Sequence, residues 1–295
     1  MSEVIPSYMG LRPHFGFWQT SRFNISLEQT LVMGIVNVTP DSFSNEGADF
    51  APESAIAHAS RLLREGADIL DVGGESTRPG SKPLSSDEEW SRVQPVLNEV
   101  LKWDIPISID TYHARNMQRA LDCGVDIVND IYALRTEGAL QVAATHTCGL
   151  CLMHMHGEPL SMQSYPMNGD VTHQVSSFFA DRLNETDEVG ISRNRIVIDP
   201  GVGFGKTVAQ NFQLLRDQSD LLELKLPLMV GWSRKSSLGA VTDLPVNERL
   251  IPSVVAALIA VQKGATVVRV HDVMETVSAL KVWKATNSSA SHPTR

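Results

Sequence analysis

The stretch LVMGIVNVTPDSFS, residues 31–44, sets a pattern that the rest of the chain repeats. Residues 31–36 are apolar without a break, as a strand buried on both faces requires. The run does not fade into a polar turn. It stops on Asn37, whose side chain both donates and accepts hydrogen bonds. Thr39-Pro40-Asp41 then forces a loop, because proline fixes φ and has no N–H. One buried strand thus delivers one polar group to its C-terminal end.

That format recurs along the chain. Strands are predicted at 31–38, 68–73, 105–109, 125–128, 149–155, 195–198, 226–231 and 265–270. The second ends in the loop Gly74-Glu75-Ser76-Thr77-Arg78-Pro79-Gly80, the third at Asp110 and the fourth at Asn129-Asp130. The sixth ends at Asp199-Pro200 and the glycine loop 201–205, the seventh at Trp232-Ser233-Arg234-Lys235. Arg269 and His271 flank the end of the last. Helical segments lie between them. Pro52 fits the first helical position of a segment running to Glu65 and stopped by Gly66. Ser86, with Glu89 three residues on, reads as a capping box. Further helices are expected from His113 to near Gly124, from Thr136, over 170–189, up to Asp217, over 247–263 and over 273–284. Residues 1–20 read as irregular, 22–27 as a short strand closing one end of the core, and 287–295 as a disordered tail.

Strict alternation of strand and helix implies a parallel sheet with right-handed crossovers. Eight such units in about 250 residues fit an α/β fold of one kind, a single (β/α)8 TIM barrel with a short N-terminal extension. No linker divides the chain, so residues 1–286 are read as one domain. An open doubly wound sheet is the alternative. At 295 residues and 42% hydrophobic content a large core is available. The net charge of -9 with no basic block argues against nucleic acid as a partner. Residues 1–18 lack the apolar core of a signal peptide, and 251–261 are too few to span a bilayer. Three cysteines make no disulfide framework, so a cytoplasmic protein with no membrane partner is expected.

In a barrel the C-terminal ends of all strands share one rim. That rim would collect Asn37, Thr77, Arg78, Asp110, Asn129, Asp199, Lys235, Arg269 and His271. Any one could be a turn former or helix cap, but caps need no Lys or Arg at strand ends. Asp110, Asn129 and Asp199 suit a planar heterocycle with several N–H donors. Asn37, Arg78, Arg269 and His271 suit a polyanion such as a phosphate group. Lys235 fits either set.

The motifs NVTPDSFS (37–44), GGESTRPG (73–80), SIDT (108–111), Asn129-Asp130, DPGVGFGK (199–206), SRKS (233–236) and RVHD (269–272) together resemble the dihydropteroate synthase family. They recur in order over almost the whole chain. The resemblance implies a (β/α)8 barrel, usually a homodimer. The reaction it implies joins p-aminobenzoate to 6-hydroxymethyl-7,8-dihydropterin diphosphate with Mg2+, releasing diphosphate. It implies a pterin site of Asp110, Asn129, Asp199 and Lys235, and a diphosphate site of Asn37, Arg78, Arg269 and His271. Phe43, Thr77, Arg78, Pro79, Phe204 and Ser236 would surround p-aminobenzoate, whose carboxylate could use the N-terminus of the helix after Ser233. Asn37 would be the metal ligand, and Lys235, Arg269 and His271 the catalytic residues. One departure stands out: Asn45-Glu46 replaces the family's usual Asp-Gly.

Three other patterns carry less weight. Gly203-Phe-Gly205-Lys206-Thr207 looks like the end of a nucleotide-binding loop but has Pro200 where that motif needs glycine. Cys148-Gly-Leu-Cys151 has no second CxxC, which favours core packing. His154 and His156 lie on one strand face with no evident third ligand, which favours rim hydrogen bonds or packing over metal. A pterin-dependent methyltransferase domain, a non-catalytic binding paralogue and an unrelated sugar-phosphate barrel are the rival functions.

Overall fold

The computed structural model describes residues 15–39, 52–76 and 82–287. It opens with an antiparallel hairpin, β1 (Phe17–Gln19) and β2 (Asn24–Ser26). Eight parallel strands follow: β3 (Leu31–Asn37), β4 (Ile69–Gly73), β5 (Ile107–Asp110), β6 (Ile127–Asp130), β7 (Gly149–Met153), β8 (Ile196–Asp199), β9 (Leu228–Val230) and β10 (Ala265–Val270). The helices between and after them are α1 (Pro52–Glu65), α2 (Ser86–Val100), α3 (Ala114–Asp122), α4 (Ala139–Thr145), α5 (Val171–Glu188), α6 (Val208–Arg216), α7 (Ser236–Thr242), α8 (Leu250–Gln262) and α9 (Val273–Asn287). Strand β10 pairs with β3, which closes the barrel and removes the open-sheet alternative. No described helix is long and apolar enough to cross a membrane.

Several boundaries move for local reasons. Strands β5 and β9 begin after Pro106 and Pro227, which have no N–H to give the ladder. Helix α8 begins at Leu250 and accommodates Pro252 in its first turn, where the N–H would lack an intrahelical partner. The capping box of α2 is Ser85 with Glu88, one residue earlier than the sequence suggests. The run Ser85-Ser-Asp-Glu-Glu89 offers the motif in two registers. Burial of Glu89, which accepts from the Thr111 hydroxyl at 2.6 Å and the Asn116 amide at 2.7 Å, selects the earlier one.

The period of two along each strand separates two cores. Outward residues such as Val32, Val72, Ile109 and Ile198 pack under the helices. Inward residues Met33, Ile69, Ile127, Cys151, Val197, Met229 and Val267 fill the barrel. Cys148 belongs to the outer core and Cys151 to the inner, so the CxxC is a packing feature.

The expected irregularity of residues 1–20 does not hold for 17–19, which form β1. The hairpin caps the N-terminal end of the barrel. Trp18 is fully buried in the inner core and its indole donates to the Arg195 carbonyl at 2.9 Å. Arg22 fixes the turn by pairing with the buried Asp126 at 2.6 Å, while Asp126 also accepts from the Ile107 amide at 2.9 Å. Trp18→Ala should lower the unfolding free energy by about 3–5 kcal/mol through the cavity left. Urea denaturation reads this directly, and a loss below about 1 kcal/mol would mean that the hairpin does not seal the core.

Candidate active site

The parity that buries Met33 and Ile69 also aims the last inward residue of each strand at the mouth. On β3 this is Asn37, on β5 Asp110, on β6 Asn129, on β8 Asp199 and on β10 Arg269. Asp71 on β4 joins them. It sits one inward step below the strand end, beside Ser108 in the ladder, and is fully buried. Strand termini alone do not reveal this position, because it lies within β4 and not at its end. Its signal in the sequence is an acid set inside an apolar run of strand length, Ile69-Leu-Asp71-Val-Gly73.

Arg269 links this group. Its Nε donates to Asp71 Oδ2 and its Nη2 to Asp110 Oδ2, both at 2.6 Å. Asn129 Nδ2 donates to the same Asp71 oxygen at 3.1 Å. Among the described residues, Asp71 Oδ1 is buried with no hydrogen-bond partner. Sequence reasoning placed Arg269 with the anion-binding set, apart from the acids. The structure instead seats it between two of them.

Asp199 accepts from the Gly201 amide at 2.8 Å through Oδ1. A Cβ on Gly201, at φ +68°, would stand 1.8 Å from the His154 carbonyl oxygen, so glycine is required for this close turn. Lys206 lies inside the same loop, 2% exposed, with Nζ donating to the carbonyls of Gly201 at 2.8 Å and Phe204 at 3.1 Å. It faces inward onto its own loop, unlike a phosphate-gripping lysine. Burial pulls its pKa down to about 7, Lys235 adding to the drop and Asp199 opposing it. The loop presents Phe204, whose ring centroid lies 4.4 Å from Lys235 Nζ.

Lys235 and His271 come from adjacent strand ends. Ser233 Oγ lies 2.9 Å from His271 Nδ1 and accepts the His271 amide at 3.2 Å. Ser236 is exposed and starts a helix of only seven residues, so little dipole is available there. His154 packs edge-on to Phe178 with centroids 4.9 Å apart, and burial drives its pKa down to about 2. It is a neutral packing residue. In Asn129-Asp130, parity sends Asn129 to the mouth and Asp130 outward, where it accepts the amides of Tyr132 and Leu134 at 2.8 and 2.7 Å. Phe43, Asn45, Glu46, Thr77, Arg78 and Pro79 lie outside the described residues.

The described mouth therefore holds three inward carboxylates, the two side-chain amides of Asn37 and Asn129, and cations beside an aromatic wall. Comparison with known proteins gives this arrangement a family. A family model for pterin binding enzymes matches residues 33–271. The dihydropteroate synthase of Neisseria meningitidis serogroup B is 48% identical over 91% of this chain and 96% of its own. The chain belongs to the dihydropteroate synthase family. The Escherichia coli dihydropteroate synthase is 41% identical over 90% of this chain and 95% of its own. A dihydropteroate synthase from Xanthomonas albilineans, solved with 4-aminobenzoic acid, superposes with a TM-score of 0.87 at 42% identity, covering 93% of this chain and all of its own. The Burkholderia cenocepacia dihydropteroate synthase, solved with 7,8-dihydropteroate, gives 0.84 at 43% identity over 92% and 96%.

Burial pushes the Asp110 pKa up to about 7, with Arg269 opposing and the nearby Asp71, Glu89 and Asp130 charges adding to the rise. A carboxyl whose pKa is raised on folding stabilises the fold at low pH, and that contribution is lost as pH rises through about 7. From about pH 4, near the ordinary carboxyl pKa, up to about pH 7, Asp110 should make the unfolding free energy fall with pH. Asp110→Asn should flatten that slope by up to about 1.4 kcal/mol per pH unit. Denaturant titrations at several pH values test this, and an unchanged slope would show that Asp110 is ionised throughout.

Proposed function

We propose that this chain, a transferase of its family, condenses 6-hydroxymethyl-7,8-dihydropterin diphosphate with p-aminobenzoate to give 7,8-dihydropteroate and diphosphate. One observation carries the reading: Asp71, Asp110, Asn129 and Asp199 converge on a single buried mouth with Arg269 among them. An aminopyrimidinone edge offers several N–H donors, and this mouth supplies acceptors for them. Each charge-assisted bond is worth about 1.5–3 kcal/mol. Asp110, Asn129 and Asp199 take these N–H groups, and Lys235 donates to the ring carbonyl or a ring nitrogen.

The diphosphate takes Asn37, Arg78, Arg269 and His271. Two Arg269 donors are engaged by Asp71 and Asp110, and a guanidinium carries five, so donors remain for a phosphate oxygen. Burial works against the Arg269 charge, yet the two carboxylates outweigh it and hold its pKa above the ordinary value. The cation is thus fixed in place before substrate arrives.

Mg2+ is the expected cofactor. Asn37, partly exposed at the end of β3, offers a hard oxygen of the kind that ion takes. Mg2+ takes few protein ligands and completes its shell with water and phosphate oxygens, so Asn37 would share the ion with the diphosphate. When bound, Mg2+ supplies charge neutralisation to the diphosphate.

The reaction is read as a dissociative substitution. The C–O bond breaks and diphosphate leaves with the electron pair. The aniline nitrogen of p-aminobenzoate then forms the C–N bond to the methylene carbon and loses a proton. Arg269, His271 and Lys235 are the catalytic residues. At an effective dielectric of about 20, a cation about 4 Å from the developing charge contributes roughly 4 kcal/mol before competing costs. Phe43, Thr77, Arg78, Pro79, Phe204 and Ser236 hold p-aminobenzoate. The buried Phe204 ring beside Lys235 supports an aromatic ligand there.

A homodimer in the cytoplasm completes the proposal. Ile251 is 73% exposed, and Val255, one turn along the same helix, is exposed beside it, an apolar pair that a second copy would cover. All three cysteines are free thiols, as a reducing compartment allows.

Wild-type protein supplied with the pterin diphosphate should turn over diphosphate only when p-aminobenzoate is added. Release without it would make the chain a hydrolase. Lys235→Ala and Arg269→Ala should each lower kcat/KM by at least about 100-fold, and near-native values in both would refute the site. Ile251→Glu should shift the sedimenting species from dimer to monomer.

A further inference from the structure

Lys235 is delivered by an unusual piece of backbone. The segment from Ser233 to Ser236 crosses from β9 to α7, and Arg234 adopts φ 59°. That left-handed conformation is disfavoured for a side chain as long as arginine, and it persists only where surrounding contacts enforce it. Those contacts come from outside the turn. The Arg234 amide donates to Ser253 Oγ at 2.8 Å. The Arg234 guanidinium pairs with Asp272 at 2.5 and 3.1 Å.

The carbonyls of the turn are held by one side chain. Arg249, the residue before α8, donates from Nη1 to the Arg234 carbonyl at 3.2 Å and the Lys235 carbonyl at 3.4 Å. Its Nε donates to the Leu244 carbonyl at 2.9 Å, which fixes the guanidinium plane. Ser253 Oγ donates to the Arg249 carbonyl at 2.5 Å, tying the two clamps together.

Helix α7 is built to admit this guanidinium. Gly239 lies in its interior, where glycine is a poor helix former. A Cβ there would stand 2.2 Å from Arg249 Nη2 and 2.4 Å from Cζ. The backbone angle at Gly239 does not call for glycine, so the space does.

We propose that Arg249 is a positioning residue for Lys235: it crosses the face of α7 left open by Gly239 and clamps the two carbonyls that set where the Lys235 side chain emerges. The residue touches no reacting atom and acts through the turn. The proposal rests on the reading of Lys235 as a group that contacts substrate, and it deepens that reading.

Three variants and two measurements test it. Arg249→Ala removes the clamp. Gly239→Ala leaves Arg249 in the chain but denies it the space, and alanine favours the helix. The third variant combines both. Amide hydrogen exchange over residues 231–240 reads the turn whether or not the chain is active. Exchange there should speed up by at least about tenfold in each single variant, with the β4 to β6 core unchanged. In steady-state kinetics each single variant should lose about ten- to a hundredfold in kcat, with a smaller change in KM, because the group is misplaced and not deleted. The double variant should be no worse than Arg249→Ala, since both changes break one contact. Arg249→Lys should recover part of the loss.

Unchanged exchange in Arg249→Ala would overturn the proposal. So would a kcat within about twofold of wild type, or losses that multiply in the double variant. If wild-type protein shows no release dependent on p-aminobenzoate, the reaction is wrong, and exchange alone decides whether Arg249 holds the turn.

Discussion

Arg269 on the last strand meets Asp71 and Asp110, 198 and 159 residues earlier, at 2.6 Å each. This partly buried contact exists only because β10 closes onto β3. Removing three charges from water is costly, and an apolar cluster of equal volume would hold a barrel together as well or better. The cluster therefore makes sense as preorganisation. The two carboxylates keep the guanidinium charged and aimed, and the guanidinium keeps two acids tolerable in a site with little water. Asn129 on the shared Asp71 oxygen orients the acid further.

The glycine loop after β8 solves the same problem differently. Lys206 is as buried as a core leucine, and its ammonium is spent on carbonyls of its own loop. That bonding holds Gly201, whose amide in turn holds Asp199. The same loop puts Phe204 against Lys235. A short glycine-rich segment thus fixes both a carboxylate and an aromatic ring at the mouth.

The barrel was legible because its signal is periodic and repeated: apolar runs of strand length, each ending in a polar residue or glycine. The mouth residues at strand ends followed from the same periodicity. Asp71 was less visible because a barrel interior changes from apolar to polar between one inward layer and the next, and sequence does not mark that height. The capping register of α2 was ambiguous in sequence and was settled by the tertiary contacts of Glu89. Strand β1 was missed since three residues carry almost no pattern until Trp18 finds the barrel floor. Arg249 lay furthest from view. Its partners are carbonyl groups, which every residue possesses, so no motif announces it.

The hairpin that carries Trp18 has a consequence for traffic through the molecule. With the floor shut by an indole bonded to the Arg195 carbonyl, the described residues leave the barrel axis closed at that end. Whatever enters at the opposite end must leave there too. Two incoming molecules and two outgoing ones share a single doorway, so a departing fragment that lingers blocks its successor.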